Sequence, residues 1–244
     1  YTPINRYTVN LFYLPNINET SKVVIFDKEE SRHISKVLRR VEGDTIKLTN
    51  GKGFFFEAKL TDTNPKRCIA SIFSKEKQAP LPYHLHFAVA PTKLNDRYEW
   101  FLEKATEIGI TEITPIICDH SERKVINKER YNKIIQSAMK QSLKAYLPIL
   151  NEATSLKDFL NKEHPEEIRC IAHCEDTQKQ SLKSIIKKDS SLLVLIGPEG
   201  DFSKDEITKA ISIGITPISL GNSRLRTETA AISACHSMYF IVLN

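Results

Sequence analysis

The chain has 244 residues, 41% apolar and 27% charged, which excludes a disordered chain and suffices for one large domain or for one medium and one small domain. Its apolar runs fall short of the roughly 18 residues that a membrane span requires, so no membrane partner is expected, and the opening "YTPINRYTVNLFYLP" has no secretory-leader pattern. Five scattered cysteines without framework spacing predict reduced thiols in a cytoplasmic protein, and a net charge of +5 permits an anionic partner.

The first part, residues 1–75, reads as a small β-rich module, a partly closed barrel. "NLFYLP" and "VVIFD" are short apolar strands. Asp27 with Glu30 makes a helix-start pair, and the helix "KEESRHISKVLRR" is expected to put Ile34, Val37, Leu38 and Val41 on one face. Its opposite side carries Arg32, Lys36, Arg39 and Arg40, with His33 nearby; a solvated charged face is the ordinary reading of such a pattern. "GDTIKLTNGKGFFFEAKLTD" then predicts two strands around an Asn-Gly-Lys-Gly turn, with the three phenylalanines packing in the barrel, and "CIASIF" adds another strand.

A charged, proline-bearing linker over 76–82 separates this module from residues 83–244, where the rhythm changes. Strands at "LHFAVA", "ITPIIC", "RCIAHC", "LLVLIG" and "TPISLG" alternate with helices. The first of these helices, "NDRYEWFLEKATEIG", turns Tyr98, Phe101, Leu102, Ala105 and Ile108 inward, and "ERYNKIIQSAMKQSLKAY" is expected to be a second. Further helices are expected near 155–162, 179–187, 204–213 and 228–243. Such alternation predicts an α/β domain, a parallel sheet with helices on both faces.

Neither a P-loop nor a dinucleotide-binding glycine pattern occurs, and "FAVAPTKLND" lacks the early glycine turn of a doubly wound methyltransferase. The special turns come late. Gly197-Pro198-Glu199-Gly200 follows one strand, and Gly221-Asn222-Ser223-Arg224-Leu225-Arg226 follows the last. In a parallel sheet both emerge at carboxyl strand ends, where ligands bind and where glycine lets backbone approach them closely. Ser203 and Glu206 form a capping box for the helix between them. A metal is not expected: His84 and His86 share a strand face with no nearby Cys or carboxylate cluster and read as solvent-side histidines, and Cys170, His173 and Cys174 lack a second ligand half.

"IGPEGDFSKDEI" and "SLGNSRLRTETAAISA" resemble the signature of the RsmE-type methyltransferases of the SPOUT class. "KLNDRYEWFLEKATEIGITEITPIICDHSERK" and "QSAMKQSLKAYLPIL" extend the resemblance upstream, and "SRHISKVLRRVEGDTIKLTNGKG" resembles that family's PUA-like RNA-binding barrel. Asp201 stands where a glycine is common in the family. The resemblance implies a C-terminal parallel-sheet SPOUT domain with a trefoil knot, and methyl transfer from S-adenosylmethionine to N3 of a uridine in small-subunit (16S) ribosomal RNA. The RNA partner would be free or in the assembled subunit. The alternatives are a SPOUT methyltransferase acting on transfer RNA or large-subunit RNA, and a non-catalytic RNA-binding assembly factor.

Carried over residue by residue, the resemblance assigns cofactor binding to Gly197, Glu199, Gly200, Leu220, Gly221, Leu225 and Arg226, with His173, Cys174 and Glu175 as a third wall. Arg226, a permanent cation with a fixed fork of donors, suits the uracil carbonyls or a phosphate, and Glu228 acts as base or orients Arg226. In an RNA enzyme the basic face of Arg32, His33, Lys36, Arg39 and Arg40 becomes a phosphate grip. The last helix, "TETAAISACHSMYFIVL", combines small residues with large apolar ones near its end, and a homodimer is expected through it.

Overall fold

The computed structural model describes residues 10–187 and 189–243. The opening nine residues, and with them part of the stretch read as lacking a leader, lie outside the described residues. The chain divides into two compact units, Tyr1–Pro80 with Met139–Leu147, and Leu81–Ala138 with Pro148–Asn244.

In the first unit, β1 (Leu11–Tyr13), β2 (Val23–Ile25), β3 (Thr45–Thr49), β4 (Phe54–Asp62) and β5 (Ile69–Lys77) form one curled sheet in the order β1-β3-β4-β5-β2. Phe12, Phe26, Ile34, Leu48, Phe56 and Leu60 fill its core. Of the three phenylalanines, Phe56 is buried, while half-buried Phe54 and Phe55 lie under Lys77 and Lys47. Residues 139–147 belong here: Gly53 N–H donates to Ala145 O at 2.9 Å, and Leu147 N–H to Gly51 O at 2.9 Å, so this segment closes the hairpin turn.

The expected long helix is corrected. Asp27 caps α1 (Lys28–Arg32) by accepting from Glu30 N–H at 2.8 Å, but the chain then widens into a π-turn over His33–Val37. Leu38 N–H reaches back to His33 O and Arg40 N–H to Ile34 O, and Arg39 takes the left-handed φ of 53°. Hydrogen bonds reaching five and six residues back break the 3.6-residue period, so Ile34 stays buried while Val37 and Val41 face solvent.

The second unit is built on one parallel sheet. Its strands are β6 (His84–Val89), β7 (Glu112–Ile117), β8 (Ile149–Leu150), β9 (Thr154–Ser155), β10 (Ile168–Ala172), β11 (Gln180–Ser181), β12 (Ser191–Ile196) and β13 (Thr216–Ser219). Their order is β11-β13-β10-β12-β6-β7-β8, with β9 also on β7. Helices α2 (Asn95–Ile108) and α7 (Thr227–Leu243) cover one face. α4 (Leu156–Leu160) and α6 (Lys204–Ser212) cover the other, where Leu156, Phe159, Ile207 and Ala210 pack on Ala88, Ile171, Leu193 and Leu195. Among the described residues no helix is long and apolar enough to cross a membrane.

Two further helices differ from expectation. The second, α3 (Lys128–Gln141), stops short of Tyr146 because Leu143 turns left-handed at φ 53°. α5 (Leu182–Ile185) is a single turn within 179–187. The solvent-side reading of His84 and His86 is also corrected. β6 lies between β12 and β7 with both faces covered, so period-2 alternation has no wet side there, and His86 is only 4% exposed. Carboxylates distant in sequence meet the pair: Glu166 Oε1 lies 2.6 Å from His86 Nδ1, and Glu112 Oε2 lies 3.0 Å from His84 Nε2.

Candidate active site

The strand order β13-β10-β12 sets three carboxyl ends side by side, so the segments after them meet: His173–Glu175 after β10, Gly197–Gly200 after β12 and Leu220–Arg226 after β13. Thr227 Oγ1 donates to Gly197 O at 3.0 Å and ties the last turn to the earlier one. Asp201 joins the other two. Its Oδ2 accepts from Cys174 N–H at 2.6 Å, its N–H donates to Pro198 O at 2.9 Å, and its φ is 63°. Aspartate is among the few non-glycine residues that tolerate this left-handed conformation, which accounts for its standing in a glycine position.

Two glycines serve different needs. A Cβ on Gly200 would sit 3.0 Å from His120 Cβ, so this turn needs close backbone approach to the loop after β7. Gly221 has φ +120° with nothing within 4 Å of a Cβ, so its conformation demands glycine and its side-chain direction is open. The capping box of α6 is complete, with Ser203 and Glu206 each bonding the other's backbone N–H.

Buried polar atoms without partners mark this end of the sheet. His173 is 7% exposed, and neither ring nitrogen has a hydrogen bond among the described residues. Burial lowers its pKa, nearby Lys179 lowers it further, and Asp201 and Glu175 oppose them, so the imidazole is neutral at pH 7. Glu228 is buried at the start of α7, and its Oε2 has no partner. Its ion pair runs to Arg97 Nε of α2 at 3.8 Å, not to Arg226. Arg226 is exposed, and among the described residues its side chain has no ion-pair partner. Half-buried Leu220 and Leu225 flank the last turn, while Cys174 and Glu175 are exposed. The Glu199 carboxylate accepts from Lys93 N–H at 2.9 Å, so its side chain holds the loop after β6.

Several supporting residues escaped the sequence reading. His120 Nδ1 lies 3.0 Å from Gly200 O. Asp119 Oδ2 accepts from Ser203 Oγ at 2.6 Å, and Arg123 donates to the carbonyls of Thr92 and Lys93. They sit in or contact the loops "PTKL" after β6 and "CDHSERK" after β7, which have no glycine signal; only their place after parallel strands marks them. Arg32, Lys36 and Arg39 are exposed, Arg40 pairs with Asp44 at 3.9 Å, and His33 lies 3.4 Å from Glu30.

The donor set suits the chemistry of S-adenosylmethionine. Neutral unpartnered imidazole nitrogens, a free carboxylate oxygen and an open glycine turn are what a polar, positively charged cofactor with an adenine ring would use.

Comparison with known proteins agrees. A family model described as an RNA methyltransferase domain matches residues 79–239, and one described as an RNA methyltransferase PUA domain matches 26–73. The ribosomal RNA small subunit methyltransferase E of Rickettsia conorii is 30% identical over 94% of this chain and 93% of its own. A crystal structure titled "probable rRNA-methyltransferase" from Porphyromonas gingivalis superposes with TM-score 0.89 at 39% identity, over 96% of this chain and 98% of that one. That of the Neisseria gonorrhoeae ribosomal RNA small subunit methyltransferase E, bound to S-adenosyl methionine, has TM-score 0.80 and 27% identity over 96% and 98%. The chain belongs to the ribosomal RNA small subunit methyltransferase E family, with its RNA methyltransferase domain carrying the three converging loops.

Proposed function

We propose that the protein methylates N3 of a uridine in small-subunit ribosomal RNA, using S-adenosylmethionine held by the turns at 173–175, 197–200 and 220–226. The observation that carries this reading is the convergence of those turns around buried, unpartnered atoms of His173 and Glu228 beside the unpaired Arg226. The cofactor's sulfonium supplies an already activated methyl group, so the chain's own task is alignment and proton handling.

Arg226 directs its fork of donors at the uracil oxygens flanking N3 and favours the deprotonated ring. Glu228 Oε2, free and buried, accepts the N3 proton, and Arg97 holds the other oxygen of that carboxylate. Neutral His173 offers one donor and one acceptor nitrogen to the bound ligand. The exposed cations Arg32, Lys36 and Arg39 of the first unit grip phosphate.

The same reading carries a trefoil knot at the chain end, supported by β13 pairing with β10 instead of β12 and by the Thr227–Gly197 tie. It also carries a cytoplasmic homodimer through α7. In support, α7 buries Ala231, Ala234, Met238 and Val242 while Phe240 and Leu243 stay exposed. The test is methyl transfer from labelled cofactor to small subunits of a strain lacking the enzyme, with digestion to nucleosides. N3-methyluridine in small-subunit RNA supports the reading; label in transfer RNA or large-subunit RNA redirects the substrate; no label with RNA binding intact leaves an assembly factor.

A further inference from the structure

At the amino ends of the strands in the second unit, the link from α4 to β10 closes over the starts of β6 and β7. The cavity there measures about 700 Å³, and His84, His86, Glu112, Asn151, His164 and Glu166 are among its lining residues. We propose that this cavity binds one divalent transition-metal ion, zinc by the character of its donors, through His86, His164 and Glu166.

One donor atom from each of the three lies within 4.8 Å of the others. A tetrahedral zinc site with bonds of about 2.1 Å separates its ligands by about 3.4 Å. The His86–Glu166 pair would open from 2.6 Å, and the contraction falls to His164, which stands on residues 161–167, a connection without strand or helix. Glu166 supplies the independent sign of a missing ligand: its side chain is 3% exposed, and its Oε2 is buried without any partner.

Each imidazole already has the outer contact that a metal-bound ring needs. His164 Nε2–H donates to Phe159 O at 2.8 Å, which leaves Nδ1 with its lone pair free. His86 Nε2 lies 2.8 Å from Thr114 Oγ1, an oxygen able to accept from it. His86 Nδ1 is hydrogen-bonded to Glu166 Oε1 at 2.6 Å, and the ion would replace that proton: with the ring's remaining proton carried at Nε2 toward Thr114, Nδ1 and the carboxylate both turn their lone pairs to the ion. Two nitrogens and one carboxylate form a borderline donor set without thiolate, suited to zinc with its fourth position open to the cavity. Among the described lining residues Glu112 and Glu163 also face that space against Lys162, with Glu152 already paired to Lys128, a balance that still favours a cation.

Three residues of β6, roughly 10 Å of strand, separate His86 from the carboxyl end at Val89, so the ion would fasten the α4–β10 link to the sheet and would not enter methyl transfer. The inference therefore stands apart from the proposed activity. The whole protein is stripped with chelator and titrated with zinc chloride by calorimetry, and with cobalt(II) by visible absorption. One ion per chain is expected, with the intense cobalt bands of a tetrahedral site and a rise in thermal midpoint on adding zinc. His164→Ala, at a half-buried loop position, and Glu166→Gln should each weaken zinc binding at least about 100-fold, whereas His236→Ala, distant in sequence and exposed, should not. No saturable zinc binding by the parent protein overturns the proposal, as does equal affinity in a folded His164→Ala; should Glu166→Gln fail to fold, His164→Ala alone decides.

Discussion

The two ends of one parallel sheet treat their polar groups in opposite ways. At the carboxyl ends, backbone loops and single side chains converge and leave atoms unpartnered: both nitrogens of His173, Oε2 of Glu228 and the guanidinium of Arg226. At the amino ends, side chains meet one another. His84 lies beside Glu112, His86 pairs with Glu166 and Thr114, and Asn151 donates to Glu112 and Thr114, while among the described residues Glu166 Oε2 and His84 Nε2 make no hydrogen bond. Parallel strands aim their loops and the start of each following helix at the carboxyl side, so that end can cradle a ligand with main-chain groups. At the amino side the side chains mostly meet one another, and what they build is a compact cluster. On the proposed function the end that keeps its groups free serves the reaction, while the end that spends most of them on each other serves stability.

Substitutions at the two ends should therefore separate activity from stability. The largest effect is expected for Arg226→Ala, which removes the exposed cation: turnover should fall by about 10²–10³-fold with thermal midpoint and cofactor affinity nearly unchanged. A single-turnover assay beside calorimetry checks this, and a matching loss of cofactor affinity would make Arg226 a binding group. At the other end, His86→Ala should cost about 3 kcal/mol of stability, because it strands the buried Glu166 carboxylate. Denaturant unfolding measures that cost, and cofactor affinity should not move.

The smallest effect concerns His173, whose pKa burial holds below the ordinary value near 6.5. Between its folded value and about 6.5 the unfolded chain binds the extra proton, so stability is level above that window and falls as pH falls through it. His173→Gln abolishes this contribution. The difference between parent and variant midpoints should be constant above pH 7 and should shift in the variant's favour on acidification; a difference independent of pH would mean the imidazole is not held neutral.

Much of the architecture was legible in the sequence because it rests on local signals. Alternating apolar strands and amphipathic helices announced a parallel sheet; Asp27 with Glu30 and Ser203 with Glu206 announced helix starts; Asn50–Gly53 announced a hairpin turn. The late turns at 197–200 and 221–226 were legible as strand-end loops from their glycines and the strands before them. What failed was local pattern where tertiary contacts outweigh it. The helix after Arg32 opened into a π-turn, and α3 gave way at Leu143, since a periodic apolar pattern does not specify where a cap or neighbouring segment ends it.

By itself, then, the sequence determined element type, the capping signals and the glycine-marked turns, all of which depend on residues within a few positions of each other. Only the tertiary structure decided the strand order β13-β10-β12 that gathers His173, Gly197 and Leu225 at one edge, and the choice of Arg97 over Arg226 as partner of Glu228. It likewise decided that His86, on a central strand with no wet face, meets Glu166 across 80 positions of chain. Each of these turns on which strand lies beside which, a matter of long-range pairing and burial that no local spacing records.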